Sequence, residues 1–155
     1  MISLVMDTSN SYLAVGLFKD NMCLEAFQEK GSRRQSEKAI PSLKEVLDRH
    51  HIALKDVNEM IITSGPGSYT GVRVAMTIAK TLAAVSDVRI KSVSSLAAYA
   101  GMNQALSVID ARGHKVFVGV YENGLPLIKE QVMTLEDFAQ LRAEYEDFEL
   151  VGEEC

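Results

Sequence analysis

A chain of 155 residues with 47% hydrophobic and 24% charged residues has the composition of an ordinary globular protein. This composition excludes a disordered chain, a collagen and a coiled coil, and the length allows one large domain or two small ones. The net charge of −5 argues against tight binding of free nucleic acid, because binding to phosphates needs clustered cations.

Neither a membrane span nor a targeting signal is predicted. The longest apolar stretch, Val72 to Val85, contains Arg73 and Lys80, whereas a span needs about 20 apolar residues with few charges. Cys23 and Cys155 lie far apart in the sequence, which predicts neither a disulfide framework nor a zinc site. We therefore expect a protein of the reducing cytoplasm.

The first two thirds of the chain alternate strand and helix patterns. Apolar residues recur at period two in the predicted strands and at helical spacing in the predicted helices. The first helix either begins near Ile40 or is kinked by Pro41. The predicted elements are strands at 2–7, 12–18, 22–28, 57–64 and 88–93 and helices at 36–48, 72–85 and 95–101.

The last third of the chain starts the same pattern again. Three strands are predicted at 105–109, 115–121 and 125–133, then a helix capped by Thr134 and a strand at 148–151.

The element order predicts an α/β fold in which a β-β-β-α-β-α-β-α domain is followed by a second, incomplete copy. We therefore predict domains at residues 1–103 and 104–155.

The glycine-rich segment 65–71 carries the strongest functional signal. It lies between a strand and a helix, where backbone N–H groups can bind an anion. It matches neither nucleotide fingerprint, because no Lys-Ser/Thr pair follows its last glycine and that glycine comes one residue too late for the dinucleotide spacing. Either it is an anion loop, or its glycines allow tight packing while Ser68 or Thr70 caps the helix. The glycines concerned are Gly65, Gly67 and Gly71.

The polar turn Asp7-Thr8-Ser9 follows the first strand, and Asp110 ends the first strand of the second unit. A carboxylate at such a turn can hold a hydrated metal beside a phosphate, but Asp, Thr and Ser are also ordinary turn formers. The placement of one acid in each unit predicts two loops that face each other across a cleft.

Other kinds of site find little support in the sequence. His50 and His51 are adjacent and point apart on a helix, and His114 stands in a loop-like stretch, so we predict solvated histidines and no metal site. No serine or cysteine nucleophile with a histidine base can be argued, and Cys23 is predicted to be buried in a strand.

The helix that begins near Val72 is apolar on nearly all sides. Ala75, Ala79 and Ala83 follow one another at i,i+4 spacing, which lets another helix approach closely. A helix that is apolar on two sides needs two packing partners, of which its own sheet can be only one. The sequence therefore predicts a second partner, either a neighbouring helix or another chain.

The segment from Ser64 to Ala83 closely resembles the signature of the TsaB family, the bacterial tRNA threonylcarbamoyladenosine biosynthesis subunits once grouped with glycoprotease-like proteins as YeaZ. Further matching pieces occur in the right order along nearly the whole chain. They are Asp7-Thr8-Ser9, Ser36-Glu37 with Pro41, Ser94-Ser95-Leu96, and Asp110-Ala111-Arg112 before Val116-Phe117.

The resemblance implies two actin-like (RNase H-like) domains and a subunit without catalytic activity, cofactor or metal. Such a subunit would support a TsaD-like catalytic subunit in a complex with a TsaE-like ATPase. The complex would transfer a threonylcarbamoyl group from its adenylate to an adenosine next to the tRNA anticodon. The chain would meet tRNA only through the complex. The loops at Asp7-Thr8-Ser9, at the three glycines and at Asp110 would be vestigial phosphate or anion loops.

The resemblance also implies a helical surface that pairs either with the sister subunit or with a second copy of the chain. From its pattern of apolar and small residues we predict that this surface includes Pro41, Leu43, Val46, Leu47, Tyr69, Val72, Met76, Ala79 and Ala83.

The sequence departs from the family in three respects. Gln35 stands where the family usually has histidine, the metal-binding histidines of TsaD have no counterpart, and family members are usually longer. The sequence is compatible both with a fragment of a longer protein and with a naturally shortened member of the family. The alternatives to a scaffold subunit are a glycoprotease-like peptidase, a nucleotide-dependent enzyme of the superfamily, or a stand-alone anion-binding module.

Overall fold

The computed structural model describes residues 1–30 and 35–153, which form nine strands and four α-helices in two compact units. Unit 1 comprises residues 1–64 and 68–93, and unit 2 comprises residues 65–67 and the chain from Ser94 onward. Arg33 and Arg34, which are two of the 16 basic residues, and the second cysteine, Cys155, lie outside the described residues.

Unit 1 is a five-stranded mixed sheet with the spatial order β3-β2-β1-β4-β5. The first three strands form an antiparallel meander, and β4 and β5 run parallel to β1. A short 3₁₀ helix, Leu54–Asp56, precedes β4. The elements are β1 Ile2–Asp7, β2 Tyr12–Lys19, β3 Met22–Lys30, α1 Gln35–Arg49, β4 Glu59–Thr63, α2 Tyr69–Val85 and β5 Arg89–Val93.

The core of unit 1 lies between one face of this sheet and both of its α-helices. The alternation in β1 sends Leu4 and Met6 to this face, where both are fully buried. Val46 of α1 and Ala79 of α2 are also fully buried in the same cluster. Burying a large apolar side chain stabilises a fold by about 1.5–3 kcal/mol, so this cluster fixes both helices to the sheet.

Unit 2 is a four-stranded sheet with the order β8-β7-β6-β9 and a helix on each face. One apolar cluster joins the sheet to α4 through Leu141, and the other joins it to α3 through Leu96 and Ala100. The elements are α3 Ser95–Ala100, β6 Ala105–Arg112, β7 Lys115–Glu122, β8 Leu125–Thr134, α4 Leu135–Glu144 and β9 Glu149–Glu153.

The strand pairing of unit 2 repeats that of unit 1. Leu4 of β1 pairs with Leu17 of β2 and with Met60 of β4. Leu106 of β6 pairs in the same way with Val120 of β7 and with Leu150 of β9. The two glycines on the middle strands, Gly16 and Gly119, are each followed two residues later by an aromatic residue on the same face, Phe18 and Tyr121.

The predicted α/β class and the predicted order of elements are confirmed, while several local predictions are wrong. α1 begins at Gln35 with Pro41 inside it, so a start near Ile40 is excluded. α2 begins at Tyr69, three residues before the predicted Val72, because Ser68 caps the helix. Cys23 is exposed, because it lies near the start of the edge strand β3.

The boundary between the two compact units does not coincide with the predicted domain boundary between residues 103 and 104. The compact units separate between Val93 and Ser94, because α3 packs on β6, β7 and β9 of unit 2. Ser107 of β6 donates a hydrogen bond of 2.7 Å to the carbonyl oxygen of Leu96, which ties α3 to that sheet. The domains at 1–103 and 104–155 stay a prediction about the repeat.

α2 carries apolar residues on most of its surface, although Arg73 and Lys80 are exposed on it. Neither α2 nor any other helix within residues 1–30 and 35–153 is long and apolar enough to cross a membrane.

An ionic cluster fastens the end of α1 to the edge strand β3. The Glu25 carboxylate accepts hydrogen bonds from Nε and Nη2 of Arg49, and its Oε1 lies 3.0 Å from Nε2 of His50. The hydrogen bond from Arg49 lowers the pKa of Glu25 from its ordinary 4.5 to about 2, and His50 acts in the same direction. Glu25 therefore stays ionised in the folded protein under conditions that would protonate it in the unfolded chain.

This cluster predicts a pH dependence of stability. A carboxyl whose pKa falls from 4.5 to about 2 on folding stabilises the fold above pH 4.5 and loses that contribution as the pH falls towards 2. Thermal melts of the wild type and of Glu25→Gln should therefore differ near neutral pH and converge in acid. In an Arg49→Gln background the difference should shrink at every pH, and a difference that grows in acid would contradict the assignment.

Candidate functional site

The turn after β1 is organised around the carboxylate of Asp7. Its Oδ1 accepts hydrogen bonds from the backbone N–H of Ser9 at 2.8 Å, from the Ser9 hydroxyl at 2.5 Å and from the Thr63 hydroxyl at 2.6 Å. Ser9 is fully buried and Thr63 is 5% exposed. The carboxylate thus joins the end of β1 to the end of the parallel strand β4.

The N-terminus of α2 packs directly on the same turn. The Thr8 hydroxyl donates a hydrogen bond of 2.6 Å to the carbonyl oxygen of Gly71, and the Ser68 N–H donates one of 2.6 Å to the carbonyl oxygen of Ser9. The Ser68 hydroxyl accepts from the Gly71 N–H at 3.1 Å, as an N-cap does. A Cβ on Gly71 would lie 1.9 Å from the Thr8 carbonyl oxygen, so only glycine fits here.

These contacts favour the packing interpretation of the segment over the anion loop. The polar groups of Asp7, Thr8 and Ser9 bind their neighbours in unit 1, and the backbones of Thr8 and Gly71 are in van der Waals contact. Gly65 and Gly67 belong to unit 2, where the Gly65 carbonyl oxygen accepts from the Ser95 N–H at 2.8 Å. A vestigial anion loop stays a prediction, and the contacts show instead how the turn and the helix are joined.

Asp110 repeats one feature of Asp7 but not its position in the sheet. Its Oδ1 accepts from the Arg112 N–H at 2.8 Å, as Asp7 accepts from the N–H two residues further on. Asp7 pairs with Ala14 and therefore shares a sheet face with Gly16, whereas Asp110 pairs with Val116, on the face opposite to Gly119. The two carboxylates thus make the same hydrogen bond to the N–H two residues further on, but their positions in the strand register differ by one residue.

Within residues 1–30 and 35–153, no group of three His, Cys, Asp or Glu side chains is placed to hold a metal ion. The prediction of a solvated His50 is wrong, because its ring contacts Glu25 and is only 28% exposed. His51 and His114 are exposed and both adopt positive φ angles, 55° and 60°, at turns.

The predicted helical surface separates into buried and exposed residues. Met76 and Val72 are half-buried, and Pro41, Tyr69 and Ala83 are exposed. The remaining four predicted residues are 8% exposed or less and pack in the core of unit 1, and their part in pairing stays a prediction. These four are Leu43, Val46, Leu47 and Ala79.

The outer side of α1 and α2 nevertheless exposes apolar side chains. Ile40 is 59% exposed, Tyr69 75% and Val85 72%. The Arg73 guanidinium donates a 3.0 Å hydrogen bond to the Tyr69 hydroxyl and lies 5.2 Å from the centre of its ring. We call the outer side of α1 and α2, with these residues, the helical surface.

An apolar groove of about 330 Å³ runs between the two helices. Ile40 and Leu43 of α1 and Ile78 and Leu82 of α2 line it, with Lys44 at its margin. The sequence prediction missed Ile40, which also lines a second groove beside Tyr69 and Arg73. The sequence feature that could have indicated Ile40 is its position directly before Pro41 and three residues before the buried Leu43.

The close packing of Gly71 predicts a large effect of a single methyl group. Gly71→Ala should destabilise the fold by about 2 kcal/mol or more, because the new Cβ would meet backbone rather than a mobile side chain. Thr70→Ala, at the neighbouring exposed position, should change the free energy of unfolding by less than about 0.5 kcal/mol. Denaturant unfolding measures both, and equal values for the two variants would contradict the described packing.

Comparisons with known proteins identify the family. The family model of TsaD, tRNA N6-adenosine threonylcarbamoyltransferase, matches residues 28–149. The chain is 32% identical to the tRNA threonylcarbamoyladenosine biosynthesis protein TsaB of Bacillus subtilis (strain 168), over 93% of this chain and 67% of that protein. It is 31% identical to TsaB of Escherichia coli (strain K12), over 79% of this chain and 57% of that protein.

A solved structure shares the fold. A Pseudomonas aeruginosa protein described as similar to the peptidase YeaZ superposes with a TM-score of 0.79 and 28% identity, over 86% of this chain and 66% of that one. The chain thus spans between 57% and 67% of the length of these three proteins. The chain therefore belongs to the TsaD-like family and, within it, to the TsaB (YeaZ-type) branch.

Proposed function

We propose that this chain is a non-catalytic subunit in the biosynthesis of threonylcarbamoyladenosine in tRNA. The observation that carries the proposal is the 32% identity to Bacillus subtilis TsaB over 93% of the chain. In this role the chain supports a TsaD-like catalytic subunit, with a TsaE-like ATPase as the third component. It acts in the cytoplasm and contacts tRNA only as part of the complex.

The helical surface supports a role in pairing. Isolated exposed apolar residues are common, but Ile40 and Tyr69 border one groove, and the Tyr69 hydroxyl accepts a hydrogen bond from Arg73. Interface energy concentrates in such apolar and aromatic anchors, with Tyr and Arg enriched among them. A surface of this kind can be self-complementary, so a homodimer would form when the sister subunit is absent and would compete with it.

The geometry of the Asp7 turn supports a structural role for its carboxylate. Oδ1 accepts three internal hydrogen bonds, which hold β1, β4 and their loop together. The alternative, a glycoprotease-like peptidase or a nucleotide-dependent enzyme, requires turnover by the pure chain. The alternative would be established if the pure chain hydrolysed a peptide or ATP and if Asp7→Ala or Asp110→Ala abolished this hydrolysis without unfolding the chain.

Ile40→Glu should weaken pairing without unfolding the chain, because Ile40 is 59% exposed in the monomer. We expect at least about a tenfold loss of affinity for the TsaD-like subunit of the same organism, measured by titration calorimetry. Met22→Glu is the matched control, since Met22 is 68% exposed at the β2–β3 turn of unit 1. Equal affinities of both variants and of the wild type would contradict the proposed surface.

Ala79→Glu should act differently. Ala79 is fully buried in the core of unit 1, so the charge would have to enter an apolar cluster. We expect loss of the circular dichroism signal of the folded state rather than a folded monomer. A folded Ala79→Glu variant that pairs normally would contradict the packing of α2 described above.

Free tRNA should bind weakly to the isolated chain. The net charge is −5, and non-specific binding depends on the release of counterions by clustered cations. Fluorescence anisotropy with labelled tRNA should show binding only at low salt. Tight binding at physiological salt would place tRNA recognition in this chain itself.

A further inference from the structure

The outward-facing stripe of α2 carries two positive charges. Residues at positions i, i+4, i+8, i+11 and i+15 of a helix lie along one face. On α2 all five of these positions are exposed, and they hold Tyr69, Arg73, Thr77, Lys80 and Ala84. The stripe is the outer side of α2 and therefore forms part of the helical surface.

These two charges have no counter-charge in the described part of the chain. The sequence of α2 contains neither Asp nor Glu. Among the described residues, neither Arg73 nor Lys80 forms an ion pair, and Arg73 donates to a neutral tyrosine hydroxyl. The other α-helix of unit 1 differs, because Lys38 and Arg49 of α1 each pair with a glutamate of β3. A chain with a net charge of −5 thus leaves a stripe whose charges are all positive.

The groove beside this stripe offers the polar groups that bind a carboxylate. It has a volume of about 370 Å³, and Ile40, Tyr69, Thr70, Arg73 and Thr77 are among the residues that line it. The two threonines lie one turn before and one turn after Arg73, on the same side of the helix. A partner that covers the groove removes the water that satisfies these donors, so it has to supply acceptors in its place. A carboxylate does so best, because its hydrogen bonds with a guanidinium are charge-assisted.

Lys80 extends the same requirement along the helix. It follows Arg73 by seven residues, which places it about 10 Å further along the axis of α2. A helix that packs along α2 therefore meets two positive charges about two turns apart. A second copy of α2 cannot neutralise them, because α2 has no acidic residue, and two copies laid against each other would bring like charges together.

We propose that Arg73 and Lys80 select a partner whose docking helix carries two carboxylates about two turns apart, one of which enters the groove beside Arg73. The occupant is the TsaD-like subunit, and the same charges disfavour a second copy of this chain. This inference rests on the proposed function and adds to it the charge that the sister subunit has to present. Complementary charges attract the right partner, and like charges exclude the wrong one.

Charge reversal on both sides of the contact tests this proposal. Titration calorimetry measures the affinity of the TsaD-like subunit of the same organism for the wild type, Arg73→Glu and Lys80→Glu, at low and at physiological salt. Lys129→Glu is the matched control, because it makes the same change of net charge at an exposed position of unit 2. In a second series, each exposed Asp or Glu of the sister subunit is changed to Lys and titrated with Arg73→Glu. All three positions in this chain are exposed, so the variants should fold, and circular dichroism checks this.

Arg73→Glu should lower the affinity at least about tenfold, Lys80→Glu should lower it less, and Lys129→Glu should leave it unchanged. The wild-type affinity should fall with rising salt, and Arg73→Glu should remove part of this dependence. One carboxylate-to-lysine change in the sister subunit should restore the binding of Arg73→Glu. If Arg73→Glu fails to fold, Arg73→Gln replaces it and is judged by its loss of affinity and of salt dependence.

The proposal is overturned if Arg73→Glu binds the sister subunit as tightly as the wild type does, or if its affinity depends on salt to the same extent. It is also overturned if Arg73→Glu weakens self-association of this chain as strongly, since a second copy would then supply the carboxylates. Ile40→Glu separates this inference from the proposed function. A loss of affinity with Ile40→Glu but not with Arg73→Glu refutes the selection by charge alone, whereas no loss with either variant refutes the pairing surface itself.

Discussion

Unit 1 depends on the close contact between Gly71 at the start of α2 and the backbone of Thr8 in the turn after β1. The space allows no side chain at Gly71, since a Cβ there would lie 1.9 Å from the Thr8 carbonyl oxygen. The hydroxyls of Thr8 and Ser68 and the carboxylate of Asp7 then satisfy the polar groups that the contact buries. The direction of α2 follows from this junction, and with it the placement of Tyr69 and Arg73 on the helical surface.

The same residues explain why a segment that looks like a phosphate loop has a structural use here. A glycine-rich turn before a helix can present N–H groups to an anion, but it can equally allow a close backbone approach. Ser68 caps α2. Its hydroxyl accepts a hydrogen bond from the Gly71 N–H, and its carbonyl oxygen accepts one from the Val72 N–H. Two N–H groups of the first turn of α2 are thus satisfied by the chain itself, in line with the proposed scaffold role.

Sequence reasoning predicted the element order well, because strand and helix periods and turn residues are local signals. It failed where a decision required tertiary contacts. The spacing of Ala75, Ala79 and Ala83 marks a close-packed face, but spacing alone does not tell whether a sheet or a second chain packs on it, and Ala79 faces the core. Likewise, Asp7 and Asp110 look equivalent in the sequence, yet a shift of one residue in strand register places them on different faces.

Hydrogen–deuterium exchange tests the proposed pairing of the helical surface with the catalytic subunit. The chain is compared alone and in complex with the TsaD-like subunit of the same organism. We expect new protection in α1 and α2, around Ile40 and Tyr69, and no change in the exchange of β7 and β8 of unit 2. Protection confined to unit 2 or to the β2–β3 hairpin would contradict it.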